Sequence, residues 1–80
     1  MDWTRDIDAA GLLCPLPVLR ARKALVQMAP GEVLRLVSTD PAAAIDLPHF
    51  CASAGHEILG VEREGAASVW FVRRGPDQAG

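Results

Sequence analysis

Aromatic side chains are scarce in this sequence: no Tyr, two Trp and two Phe make up 5% of its 80 residues. That scarcity argues against a stacking platform for nucleic-acid bases, which needs aromatic rings in series. An excess of basic charge is missing too, because eight Lys and Arg against ten Asp and Glu give 8 − 10 = −2. Non-specific nucleic-acid affinity comes mainly from phosphate neutralisation, so no direct nucleic-acid partner is expected. Long apolar runs are also absent. The N-terminus Met1-Asp2-Trp3-Thr4-Arg5-Asp6-Ile7-Asp8 is acidic and holds no signal-peptide segment, and nothing later approaches the ~18 apolar residues of a membrane span. A cytoplasmic protein without a membrane partner is expected. Cys14 and Cys51 are too few for a disulfide scaffold, and with only His49 and His56 beside them they lack zinc-site spacing. Neither a metal nor a cofactor is expected.

What is present describes one small folded domain. Half of the residues are hydrophobic and 22% are charged, unlike a disordered tail. A chain of this size buries only about 60% of its unfolded surface, so residues 1–80 form a single domain with no second core. Trp3, Ile7 and Ala9 share one parity and Thr4, Asp6 and Asp8 the other, which predicts a half-buried strand over residues 4–9. Gly11 marks a turn. The run from Pro15 to Met28 is rich in helix formers and stops at Pro30-Gly31. At ~100° per residue, Val18, Ala21, Leu25 and Met28 share one side, with Leu16, Arg20, Lys23 and Gln27 nearly opposite.

Glu32 to Ser38 is an apolar, β-branched run of strand length. Asp40-Pro41 reads as the N-cap and first residue of a second helix, which Pro48 predicts to be broken or bent. Leu47, Phe50, Cys51 and Ala54 recur along that helix on one stripe until Gly55 ends it. Two further strands, Glu57 to Arg63 and Ala67 to Arg73, form a hairpin around Gly65. Residues 75–80 read as a frayed tail. The order β-α-β-α-β-β predicts an α+β two-layer sandwich: a four-stranded mixed sheet, its first two strands parallel through a right-handed crossover, with two helices on one face.

Cys14 is the informative position for chemistry. It stands at or beside the start of the first helix, with Pro15 expected at the first helical position and Pro17 at the third, where a missing N–H is tolerated. The prolines rigidify the turn and leave Leu16 and Val18 as the nearby amide donors, with Leu16 expected to contact the sulfur. A thiolate at a helix N-terminus is typically acidified from ~8.5 to roughly 3.5–7.5, so Cys14 is expected to be nucleophilic. Pro17 occupies the place of a second cysteine in a thioredoxin-like motif, which disfavours dithiol exchange. No acid or histidine adjoins Cys14 in sequence, although the fold can deliver a base from elsewhere. A chain this short has little room for a substrate pocket of ~300–1,000 Å³, and a lone activated thiol is better suited to carrying a group than to processing one.

The competing reading is that Cys14 merely packs, within a non-catalytic interaction or regulatory module. Cys51, on the apolar stripe, is expected to be a core residue; a redox pair of Cys14 with Cys51 is a further alternative. Leu12, Leu13 and Leu16 bracket the thiol, and Leu16 shares its face with Arg20 and Lys23. That group is either a partner-docking patch with an apolar centre and a basic rim or a solvated charge stripe. His49 and His56 are expected to be surface or capping residues.

The stretch Asp8-Ala9-Ala10-Gly11-Leu12-Leu13-Cys14-Pro15-Leu16-Pro17, followed by Arg22-Lys23, resembles the signature of the TusA/SirA-like sulfur carrier family. Pro30-Gly31-Glu32, Thr39-Asp40-Pro41, Asp46-Leu47-Pro48-His49-Phe50-Cys51 and Gly55-His56-Glu57 resemble its later landmarks in order and spacing. The resemblance implies the same β-α-β-α-β-β fold, with Cys14 accepting sulfane sulfur as a persulfide and passing it to an acceptor protein. It makes Gly11, Pro15 and Pro17 supports of the motif, and the protein a sulfurtransferase-like carrier rather than a stand-alone turnover enzyme; separately from the resemblance, a monomer is expected. The implied donors are cysteine desulfurases or rhodanese-like proteins, and the implied acceptors lead to tRNA thiolation, molybdenum cofactor assembly or sulfur oxidation. Leu13 and Leu16 depart from the tRNA-thiolation branch, which often has a basic residue before the cysteine and an acidic one between the prolines.

Overall fold

The computed structural model describes residues 2–76. Six elements follow the expected order: β1 (Arg5–Ala9), α1 (Leu16–Val26), β2 (Val33–Ser38), α2 (Ala43–Ala54), β3 (Glu57–Glu64) and β4 (Ala67–Arg73). The sheet runs β1-β2-β4-β3, with β1 parallel to β2 and the other pairs antiparallel. This is the α+β two-layer sandwich with a mixed sheet that the element order predicts.

Alternation along β2 explains the layering. Leu34, Leu36 and Ser38 are buried, and Leu34 and Leu36 stand opposite Val72 and Trp70 of β4, on one face. These side chains form one core with Ala21, Ala24, Leu25 and Met28 from the α1 segment and Ala43, Leu47 and Cys51 from α2. Both helices therefore cover the same face. Ile7 and Ala9 of β1 pair with Leu36 and Ser38 and point to that side.

Trp3 departs from the parity assigned to it. Its ring lies 6.1 Å from that of Phe71, whose partner Arg35 belongs to the face away from the helices. Arg35 sits 5.1 Å over the Trp3 ring and pairs with Asp6 at 3.0 Å. The chain before β1 thus folds over the outer face and covers Phe71, which is 3% exposed.

The helix starts also differ from expectation. α1 begins at Leu16 with Pro15 at the N-cap, which moves Pro17 to the second helical position. α2 begins at Ala43, because Asp40 to Ala42 form a tight turn in which the Ala43 N–H donates to the Asp40 carbonyl at 3.1 Å. The helix then runs unbroken through Pro48. Proline removes one helical hydrogen bond there, while Leu47 and Cys51 on either side remain anchored in the core. Gly55 ends α2 at φ 81°, donating its N–H to the Cys51 carbonyl at 2.9 Å.

Of the tail expected at 75–80, residues 77–80 lie outside the described residues. At Gly75 the backbone N–H donates to His56 Nδ1 at 2.9 Å. A Cβ on Gly75 would stand 1.8 Å from the Gly55 carbonyl oxygen, so the glycine at 75 lets the chain pass the end of α2 closely.

Candidate functional site

The loop between β1 and α1 is tied down by the residues that follow β2. Gly11, at φ 82°, donates its N–H to Thr39 Oγ1 at 2.9 Å. The Cys14 N–H donates to Asp40 Oδ2 at 2.6 Å, while Asp40 Oδ1 accepts from the Ala42 N–H at 3.1 Å. One carboxylate therefore shapes the entrance to α2 and fixes the backbone of Cys14. The Cys14–Pro15 peptide bond is cis. Pro17 is fully buried and anchors the start of α1.

Cys14 is exposed and lies in an open cleft of about 240 Å³ with Pro15 and Val18 on one wall and Asp46, His49 and Phe50 on the other. Its thiol donates to Asp46 Oδ2 at 2.9 Å. This contact raises the thiol pKa above its ordinary value, with smaller contributions from local burial and from the negative charges of Asp46 and Asp40. These contacts act against the acidification expected at the helix N-terminus. Cys14 precedes the Pro15 N-cap and makes no cap hydrogen bond, and the Leu16 N–H goes instead to the Leu13 carbonyl at 2.9 Å. The prolines have no N–H to offer.

The other predicted residues divide into separate surfaces. Leu13 and Leu16 are 68% and 45% exposed, whereas Leu12 packs against the core. Arg20 and Lys23 line, with Arg5, Ile7 and Ala24, a cleft of about 380 Å³ on the β1 side of α1. They share no lining residue with the Cys14 cleft. Cys51 is 2% exposed, and burial pushes its thiol up to about 11. His56 accepts the Gly75 N–H and stacks at 5.7 Å on Phe50, and His49 lines the Cys14 cleft.

Sequence reasoning missed Asp46 as a partner of the thiol, and it assigned Asp40 only a capping role. The Asp40-Pro41 step signalled a helix entrance, but no local spacing signalled that the second carboxylate oxygen reaches Cys14. Among the described residues, no group of three or more His, Cys, Asp or Glu is placed to hold a metal ion. No helix among them is long and apolar enough to cross a membrane.

Residues 5–74 match the family model described as Sulfurtransferase TusA. The chain is 39% identical over 71 residues to the sulfur carrier protein TusA of Pseudomonas entomophila, an alignment covering 89% of each chain. It is 37% identical over 73 residues to the sulfur carrier protein TusA of Allochromatium vinosum, covering 91% of this chain and 96% of that one. The crystal structure of a SirA-like protein from Desulfitobacterium hafniense superposes with a TM-score of 0.80 at 26% identity, covering 90% of this chain and 99% of its own.

Proposed function

Because the chain belongs to the Sulfurtransferase TusA family, we propose that it is a sulfur carrier that holds sulfane sulfur as a persulfide on Cys14 and delivers it to an acceptor protein. The observation that carries this reading is an exposed thiol on a backbone clamped by Asp40, in a cleft of only about 240 Å³. That volume lies below the ~300–1,000 Å³ of small-molecule pockets. A partner protein completes the site.

In loading, the Cys14 sulfur attacks the outer sulfur of a donor persulfide, R–S–SH. The new Cys14 S–S bond forms as the donor S–S bond breaks, its electron pair leaves on the donor sulfur, and the proton given up by Cys14 ends there. The products are the Cys14 persulfide and R–SH, with no net oxidation or reduction. Unloading repeats the exchange with an acceptor thiol as attacker. Gly11, Pro15 and Pro17 support the loop, while Leu13 and Leu16 give the docking surface an apolar centre and Arg20 and Lys23 a basic flank. The donor is a cysteine desulfurase or a rhodanese-like protein, and the carrier works as a monomer in the cytoplasm, where free thiols persist.

Intact-protein mass spectrometry after incubation with a cysteine desulfurase and cysteine, or a rhodanese and thiosulfate, tests the reading. The wild type is expected to gain sulfur mass that reductant removes, and Cys14→Ser to gain none. Loading of Cys14→Ser would reject Cys14 as the carrier. No gain by the wild type from either donor would favour the interaction-module alternative.

A further inference from the structure

Cys14 Sγ and Asp46 Oδ2 stand 2.9 Å apart across the cleft between α1 and α2. An ionised carboxylate only accepts hydrogen bonds, so the sulfur supplies the proton in this contact. Loss of that proton would turn the bond into an encounter of two anions. Asp46 lies in the first turn of α2, where the helix dipole favours negative charge. The α2 terminus therefore supports the ionised carboxylate.

Among the residues lining the cleft, His49 is the one further titratable side chain beside the pair. From α2 the groups lining the cleft are Asp46, His49 and Phe50, and from the α1 side they are Pro15 and Val18, neither of which titrates. Asp40, ahead of α2, is engaged with the Cys14 N–H at 2.6 Å and holds the residue in place beneath its sulfur.

We propose that Asp46 latches Cys14: its carboxylate holds the sulfur in the protonated, hydrogen-bonded form, and a donor loads the carrier only by breaking that contact. The latch deepens the carrier reading, on which its purpose rests, but it is a property of the free protein. It makes the resting thiol slow toward small electrophiles that do not dock, and it reserves Cys14 for a partner that displaces the carboxylate. During loading the proton leaves Cys14 as the contact opens and finishes on the donor sulfur, so the overall exchange stays balanced.

The test is the pH profile of Cys14 alkylation by iodoacetamide, an uncharged probe, followed by peptide mass spectrometry on wild type, Asp46→Asn and Asp46→Ala. Both variants are expected to shift the profile to lower pH and to raise the neutral-pH rate a few fold, because losing the bond to the carboxylate removes what favours the protonated thiol. A merely structural role for Asp46 would leave the midpoint in place. Profiles that superimpose on wild type, or a slower thiol in both variants, would overturn the latch. Sulfur loading measured on the same preparations separates the two ideas. A wild type that fails to load rejects the carrier reading whatever the profiles show, and one that loads while the profiles coincide rejects the latch alone.

Discussion

Cys14 and Cys51 both belong to the surroundings of α2, the first exposed against its opening turn and the second buried near its end. Each thiol is held above its ordinary pKa, but for different physical reasons. For Cys51 the cause is desolvation within the core, whereas for Cys14 it is chiefly the hydrogen bond to one carboxylate. Burial is a property of the whole fold and is lifted only by opening the molecule. A single side-chain contact can be displaced by a docking partner without unfolding anything. The same direction of shift therefore rests on the whole fold in one place and on a single displaceable contact in the other.

The sharpest way to break this comparison is to exchange the two roles. Cys14→Ser is expected to abolish sulfur loading completely while leaving the unfolding midpoint close to wild type, as exposed positions usually tolerate substitution. Cys51→Ser is expected to keep loading and to lose about 1–3 kcal/mol, because its hydroxyl would be buried without an assured partner. Mass spectrometry and urea unfolding on the two variants provide both readouts. Loss of loading in Cys51→Ser at full stability would give the buried thiol a chemical role and end the contrast.

The core face of α2 and the loop ahead of α1 sharpen it further. Leu47 is fully buried one turn before Cys51, whereas Leu13 beside Cys14 is 68% exposed. Leu47→Ala is expected to cost about 2–5 kcal/mol, and Leu13→Ala to stay within about 0.5 kcal/mol while weakening donor binding. A stable Leu13→Ala that loads at the wild-type rate over a range of donor concentrations would remove Leu13 from the docking surface.

A smaller effect concerns the basic flank. Reversing Arg20 and Lys23 to Glu is expected to slow loading through association and to flatten its dependence on ionic strength, since rim charges act mainly on encounter rates. Transfer kinetics at low and high salt check this. Equal rates for both proteins across ionic strength would confine recognition to the apolar residues around Cys14.

The contrast also marks what a linear reading delivers. β2 declared itself as an apolar, β-branched run of strand length, Glu32 to Ser38, and α1 by a stripe of Ala21, Leu25 and Met28. Those signals are local ones that burial then satisfies. The Cys14-Pro15-Leu16-Pro17 element was equally legible as a helix entrance, which α1 takes up one residue later than expected. The electrostatics around it were not, because Asp46 lies 32 residues from Cys14 and Asp40 lies 26. Their approach depends on how α1 and α2 settle side by side on the sheet. Trp3 was misplaced for a similar reason: alternation continued past the end of β1 on paper, while Phe71 offered the ring a better contact on the outer face.

The smallest expected effect lies at the Cys51 end of α2, where His56 accepts the Gly75 N–H and so must keep Nδ1 unprotonated. Burial, helped by the charge of Arg74, lowers the His56 pKa from its ordinary value of 6.5. A histidine whose folded pKa is depressed binds fewer protons folded than unfolded in the window below 6.5, so its stabilising contribution is complete above that value and is lost as pH falls through the window. The loss is expected to stay within the worth of one partly exposed hydrogen bond, about 1 kcal/mol. Protection of the Gly75 amide, taken as its exchange rate relative to the intrinsic rate at each pH, should therefore fall on mild acidification while protection at Leu34 and Val72 in the sheet core stays high. His56→Gln, whose side-chain oxygen can accept without titrating, should erase that fall. An equal fall in Gly75 protection in both proteins would place the acid-sensitive group elsewhere. An unaltered Cys14 alkylation profile in His56→Gln would show that the two ends of α2 respond to protons independently.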